Sequence, residues 1–252
     1  MHLDVENLNN FYFNSVLGQF TQRRLQESVK KLWGSSLIGQ VVGYGFPPPI
    51  LSLFLNSPQR ILCLMPGQQG VMRWPSNENN CSVLVEETSW PIATGSVDRL
   101  IILHGLETSE KLKDLFQEIW RVLVPSARVI FVVPNRTSWW ARSEATPFGQ
   151  GRPYSIRQLT NQLKLNRFKV EKYVTALYAP PLEKLYLLRL AEFVENFGDR
   201  FYPRFGAGVI LVEASKQIYA LNNPGFGKAV SRPLTVLEEF RDPKPASKLY
   251  RK

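Results

Sequence analysis

The sequence has little of what metal and disulfide frameworks are built from. Its 252 residues include two cysteines, Cys63 and Cys81, and two histidines, His2 and His104. The cysteines lie in apolar runs without CxxC spacing. That excludes a disulfide framework or a zinc ribbon and fits a reducing compartment. Two histidines are too few for a His-rich metal site, so no metal is expected. No stretch approaches about 18 uninterrupted apolar residues, so neither a transmembrane helix nor a membrane partner is expected. The opening MHLDVENLNN carries acids where a signal peptide would carry positive charge, and the expectation is a soluble, cytoplasmic protein. Acidic residues are also short. Against 31 Lys and Arg stand 21 Asp and Glu, a net charge of +10, which favours encounters with RNA, phosphates or acidic proteins and is equally compatible with a protein that is simply basic. No GxSxG elbow and no Walker GxxxxGK[ST] loop occurs, which leaves serine hydrolase and P-loop readings without support.

What is present is globular: 44% hydrophobic and 21% charged residues exclude disordered and fibrous classes. At about 150 residues per domain, the length suggests one domain with appendages. Its parts are an N-terminal helical segment (1–36), an α/β domain (37–221) and a basic, Pro- and Gly-containing tail (222–252), which holds seven basic against three acidic residues.

Periodicity places a helix over Gly18 to Trp33, with Leu25, Val29, Leu32 and Trp33 on one stripe and Gly34 as its stop. Short continuous apolar runs at Leu37 to Tyr44, Ile61 to Met65, Cys81 to Val85, Leu100 to Leu103 and Val129 to Val133 read as strands buried on both faces. Pro49 can open a short helix after the first run. A helix from about Ser109 to Leu123 carries the apolar stripe Leu112, Leu115, Phe116, Ile119, Val122 and Leu123, and Pro125 is read as its end. Asp98 is assigned to the turn before the fourth strand. Residues 135–154 have no periodicity and hold two Trp, three Arg, two Gly and two Pro, the pattern of a functional loop. Ser155 with Gln158 makes a capping box for a helix to about Leu165. Phe168 to Tyr178 and Gly208 to Leu221 read as extended, and Leu182 to Phe197 as a helix. Alternating strands and helices argue for a doubly wound, mostly parallel α/β sheet.

In such sheets ligands bind beyond the carboxyl ends of the strands, where strand order reverses. The first strand ends in Gly43-Tyr44-Gly45. A dinucleotide fingerprint would need glycine at 48, where Pro48 stands, so NAD is disfavoured.

The order of parts is more specific than any one of them. It runs from the GxG turn through ETSWP and SVDRLIILHGLE to FQEIWRVLVPSARVIFVVPN and YSIRQLTNQLK. Over about Leu37 to Tyr178 the chain resembles the class I S-adenosylmethionine-dependent methyltransferases, of the group labelled methyltransferase type 11. With FYFNSVLG and SWWARSEATPFGQGRPYS it resembles an uncharacterised bacterial subfamily of that group. The resemblance implies a Rossmann-like sheet with an antiparallel final strand, S-adenosylmethionine as cofactor, and methyl transfer to an acceptor it does not identify.

It also implies roles for particular residues. Gly43, Tyr44 and Gly45 would lie against the methionine part of the cofactor, with Met65 after the second strand. Glu86, or Glu87 if the alignment slips by one, would face the adenine amino group. His104 would line the pocket near the sulfonium, as a base or orienting group, or else be a packed strand-end histidine. Asn135 would stand at the substrate mouth, and Tyr154 could orient a nucleophile. Trp139 and Trp140 could stack on a planar substrate or pack the loop onto the sheet. Arg136, Arg142 and Arg152 could bind an anionic acceptor or form a solvated basic face.

The sequence also departs from the family pattern. The acid before the glycines is replaced by Gln40 or Val41, and the ribose carboxylate after the second strand is absent. Loss of a charge-assisted hydrogen bond of about 1.5–3 kcal/mol weakens binding roughly ten- to hundredfold. Gln68 or backbone groups could compensate. The competing expectation is a non-catalytic protein of the same fold that binds a partner protein or RNA.

Overall fold

Five of the apolar runs become the parallel half of one seven-stranded sheet. In the computed structural model, which describes residues 3–34, 39–56, 60–181 and 206–217, β1 (Val41–Gly45), β2 (Ile61–Pro66), β3 (Ser82–Val85), β4 (Val97–Leu103) and β5 (Leu123–Pro134) pair in parallel. The strands β6 (Phe168–Ala176) and β7 (Val209–Lys216) complete it in the order β3-β2-β1-β4-β5-β7-β6. β7 runs antiparallel to both neighbours, β5 and β6. Strand order reverses between β1 and β4, so the crevice this topology offers a ligand lies at their carboxyl ends.

Each face of the sheet has its own core, because successive side chains of a strand point to opposite sides. On one face, Val41, Cys63, Ile101, Ile130 and Leu211 meet the N-terminal helices α1 (Val5–Asn9) and α2 (Val16–Trp33) and the short α3 (Pro48–Leu51). On the other, Val42, Leu64, Leu100, Val129 and Val212 meet α4 (Leu112–Val122) and α5 (Ile156–Leu165). The N-terminal segment is therefore part of the same compact unit, which spans residues 1–218. Leu8 and Tyr12 are fully buried within it.

The helix ends follow side-chain chemistry. Ser15 Oγ accepts the Gly18 N–H at the start of α2, and Ser155 with Gln158 forms the expected capping box on α5. α4 starts later than expected, at Leu112, and is served by another strand's carboxylate: Glu87 accepts from the Ser109 hydroxyl and from the Lys111 N–H at 3.3 Å. An acid near a helix N-terminus also complements its dipole.

Two expectations are corrected. Pro125 does not end α4; the helix stops at Val122, and Pro125 lies inside β5. The β4–β5 register shifts between Val97 and Arg99, and Ser126 there has φ of 64°, so the proline falls in an irregular stretch that needs no ladder donor. Asp98 belongs to β4 rather than to the turn before it, and its carboxylate accepts the Gln40 N–H at 2.8 Å. The expected helix at 182–197 and the tail at 222–252 lie outside the described residues.

Candidate functional site

The turn after β1 is forced against the end of β4. Gly45 has φ of 93°, and a Cβ there would stand 2.1 Å from the Leu103 carbonyl oxygen, so only glycine lets the chains approach this closely. The Phe46 N–H then donates to that carbonyl at 2.7 Å. Gly43 is different in kind: a Cβ on it would meet the Pro47 ring at 2.2 Å, so this chain's own proline fills the space beside it. Tyr44 turns to the opposite face and stacks on Trp90 at 4.7 Å between centroids. Met65 is buried, with its sulfur 3.5 Å from the Met72 nitrogen.

His104 follows β4 directly, is fully buried and adopts φ of 54°, an uncommon conformation in which His is among the enriched residue types. Both ring nitrogens and the carbonyl are engaged. Nδ1 lies 3.0 Å from Glu107 Oε1, and Nε2 lies 2.7 Å from the Tyr12 hydroxyl. Its carbonyl accepts from the Gln69 amide and, at 3.0 Å, from the Thr108 hydroxyl. A carboxylate is an acceptor only, so the bonding pattern places the ring proton on Nδ1 and leaves Nε2 to accept from Tyr12. Rings enclose the group: Phe148 packs on His104 at 4.9 Å, and Phe46 stacks with Tyr12 at 6.0 Å. Burial, with Glu107 nearby, pushes the Tyr12 phenol far above its ordinary range, so it stays protonated.

Two acceptor atoms in this cluster are buried without any hydrogen-bond partner, Gln69 Oε1 and Glu107 Oε2. Unpaired buried acceptors are costly, so each calls for an explanation.

The loop after β5 closes over the same end. The Arg152 N–H donates to the Glu107 carbonyl at 2.9 Å, and Tyr154 takes the Pro134 carbonyl through its own N–H. Burial and Glu107 push the Tyr154 phenol up to about 12, with Arg152 opposing. Asn135 is a buried loop tie: its amide donates to the Ala207 carbonyl at 2.8 Å and its Oδ1 accepts from Thr137. Trp140 is 1% exposed and donates to the Ala179 carbonyl, so it packs the loop onto the core and has no open face for a substrate. Trp139, by contrast, is 66% exposed, and Arg136, Arg142 and Arg152 are exposed with it.

At the far side of the crevice Glu86 is exposed just past β3, while Glu87 is buried and occupied with the start of α4. Pro66 ends β2 and the exposed Gly67 and Gln68 follow, so no carboxylate stands there. Glu107, Tyr12 and Gln69 were not singled out from the sequence. Glu107 had a readable signal, an acid three residues after His104 in HGLE; Tyr12 and Gln69 had none. No group of three or more metal-ligating side chains occurs among the described residues, and no helix among them is long and apolar enough to cross a membrane.

No protein-family model and no curated protein matches the sequence. Solved structures do. A SAM-dependent methyltransferase from Archaeoglobus fulgidus is 15% identical, with 84% of this chain and all of that one covered, at a TM-score of 0.57. One from Thermotoga maritima, a possible histamine N-methyltransferase, is 14% identical over 80% of this chain and 92% of its own, at 0.56. Geranyl diphosphate C-methyltransferase from Streptomyces coelicolor, solved with Mg2+, geranyl diphosphate and S-adenosyl-L-homocysteine, is 16% identical over 77% of each chain, at 0.52. The chain thus has the Rossmann-like fold of the SAM-dependent methyltransferases.

Proposed function

We propose that this protein is an S-adenosylmethionine-dependent methyltransferase whose acceptor is still to be identified. The observation that carries the reading is the polar centre around His104, built at the carboxyl ends of β1 and β4, where the strand order of this fold reverses.

The residues present fit the cofactor by their chemistry. The unpartnered acceptors Gln69 Oε1 and Glu107 Oε2 suit a ligand that brings positive charge and N–H donors. The exposed Glu86 suits an amine such as that of adenine. Gly67 and Gln68 are left to serve the ribose, without the family's carboxylate. When bound, the cofactor supplies an activated methyl group; the chain's residues supply alignment and exclusion of water.

Arg136, Arg142 and Arg152, exposed on the same loop as Trp139, favour an anionic acceptor, an RNA or an acidic protein among the candidates. The Streptomyces neighbour's diphosphate substrate is in keeping with that chemistry. A cytoplasmic location fits the low cysteine content. The competing reading, a non-catalytic binding module, draws on Pro47 against Gly43 and on Tyr12 and Phe46 packed at the crevice.

Calorimetry with S-adenosylmethionine and S-adenosylhomocysteine tests the choice. Micromolar binding that Glu86→Ala weakens at least tenfold is the expected result. No heat at millimolar cofactor would favour the binding module.

A further inference from the structure

On the sheet face opposite Tyr12 and Phe46, α4 and the end of α5 enclose a cavity of about 350 Å3 that the methyltransferase reading does not use. Its volume lies at the lower end of small-ligand sites, about 300–1,000 Å3. The floor is aromatic and fixed. Phe116 is buried and Trp120 half-buried. Phe168 meets the Trp120 ring edge-on at 5.4 Å, and Lys216 Nζ lies 5.0 Å from the ring centre while donating to the Trp120 and Leu123 carbonyls. Leu165, at the edge of the cavity, is 78% exposed.

The rim is cationic. Lys113 near the start of α4 and Arg167 just after α5 line it together with the amides of Gln117 and Asn166, and none of the lining residues is acidic. Among the described residues, neither Lys113 nor Arg167 makes a side-chain hydrogen bond or an ion pair. Arg167 is also costly for its backbone. It follows the Asn166 cap with φ of 65°, the left-handed position at which glycine ends helices most cheaply. A chain built for stability alone would place glycine there. What arginine adds is a planar cation at the mouth of the cavity.

We infer that this cavity binds a nucleoside phosphate, with the base against Trp120 and Leu165 and the phosphate between Lys113 and Arg167. Aromatic surface accepts any base, and a guanidinium grips phosphate oxygens in pairs. Amides read base edges; Asn166 gives its Nδ2 to the Gln162 carbonyl and keeps Oδ1 as an acceptor. An acidic peptide would use the cations and leave the aromatic floor and the amides idle. The inference stands apart from the methyltransferase reading, because the cavity is separate from the crevice at the ends of β1 and β4. A free nucleotide and one unit of a single-stranded RNA bring the same chemistry, and the net charge of +10 attracts either.

Uridine 5′-monophosphate is the probe, since it lacks the adenine that the crevice would take. It should bind the full-length protein with Kd below about 1 mM in calorimetry, and uridine or inorganic phosphate at least tenfold more weakly. Arg167→Gly should weaken the nucleotide at least tenfold while the urea unfolding midpoint holds or rises, a combination that an arginine needed only for folding would not give. Lys113→Ala, at an exposed position, should weaken it as well. A uridylate decamer that binds at least tenfold tighter than the mononucleotide, with the excess lost in Arg167→Gly, identifies RNA as the source; a decamer without that excess identifies the free nucleotide. No binding of the mononucleotide at ten times the expected Kd, or binding that both substitutions leave unchanged, overturns the inference.

Discussion

Glu118 and Glu107 are both buried glutamates close to an end of the parallel strands, and they are wired in opposite ways. Glu118 on α4 has both oxygens engaged: Oε1 accepts the Trp90 N–H at 2.6 Å and an Arg121 N–H at 2.7 Å, and Oε2 accepts a second Arg121 N–H at 2.8 Å. Arg121 then reaches the Ile92 and Trp90 carbonyls, so the pair clasps the chain after β3 onto α4. Glu107 spends one oxygen on His104 and keeps the other unpaired. A carboxylate with both oxygens engaged is a fastener. One left incomplete inside the protein costs stability unless a ligand uses it.

The contrast can be broken most forcibly at the fastener. Glu118→Ala leaves the Trp90 N–H buried without its partner and removes the two bonds Arg121 makes to the carboxylate. It should lower the unfolding free energy by about 3 kcal/mol in urea titrations. The same residue sets a pH dependence. Burial alone would raise the Glu118 pKa, but Arg121 and the Trp90 N–H outweigh it and hold the carboxyl below its usual range. Its contribution is then complete above the ordinary carboxylate pKa and is lost as pH falls through the lowered folded value. Glu118→Gln should flatten the acid limb of a stability–pH curve.

Smaller effects sharpen the other side. Tyr12→Phe removes one buried hydrogen bond and should cost about 1 kcal/mol. Glu107→Gln keeps the shape and already lacks one partner, so a loss below about 1 kcal/mol is expected in the same titrations. Trp139→Ala, at an exposed position, should stay within about 0.5 kcal/mol. If it nonetheless weakens binding of a polyanion such as RNA in a filter assay, the exposed loop surface is an acceptor contact.

The sheet was largely legible because its signals are local. Continuous Val, Ile and Leu runs mark β1, β2, β4 and β5, and Ser155 with Gln158 marks the start of α5. The site was legible only in part. His104 stood out as a histidine at a strand end, and Glu107 was within reach of a spacing argument. Tyr12 was not, since it joins His104 across 92 residues and no periodicity encodes such a meeting. Pro125 misled for a related reason: a proline after a helix is an ordinary stop, and only the β4–β5 register reveals that the strand has already begun. The two tryptophans are chemically alike in sequence, and only packing separates the buried Trp140 from the exposed Trp139.

The position of β7 has a consequence during synthesis. It lies between β5 and β6, and among the described residues β6 has no other strand to pair with. Until residues 209–216 have emerged, β5 presents an open parallel edge and β6 carries a ladder with nothing to bind. Such edges recruit other chains. A nascent chain halted before Lys216 would thus lack an interior strand rather than an outer one, and should need a chaperone where the finished chain does not.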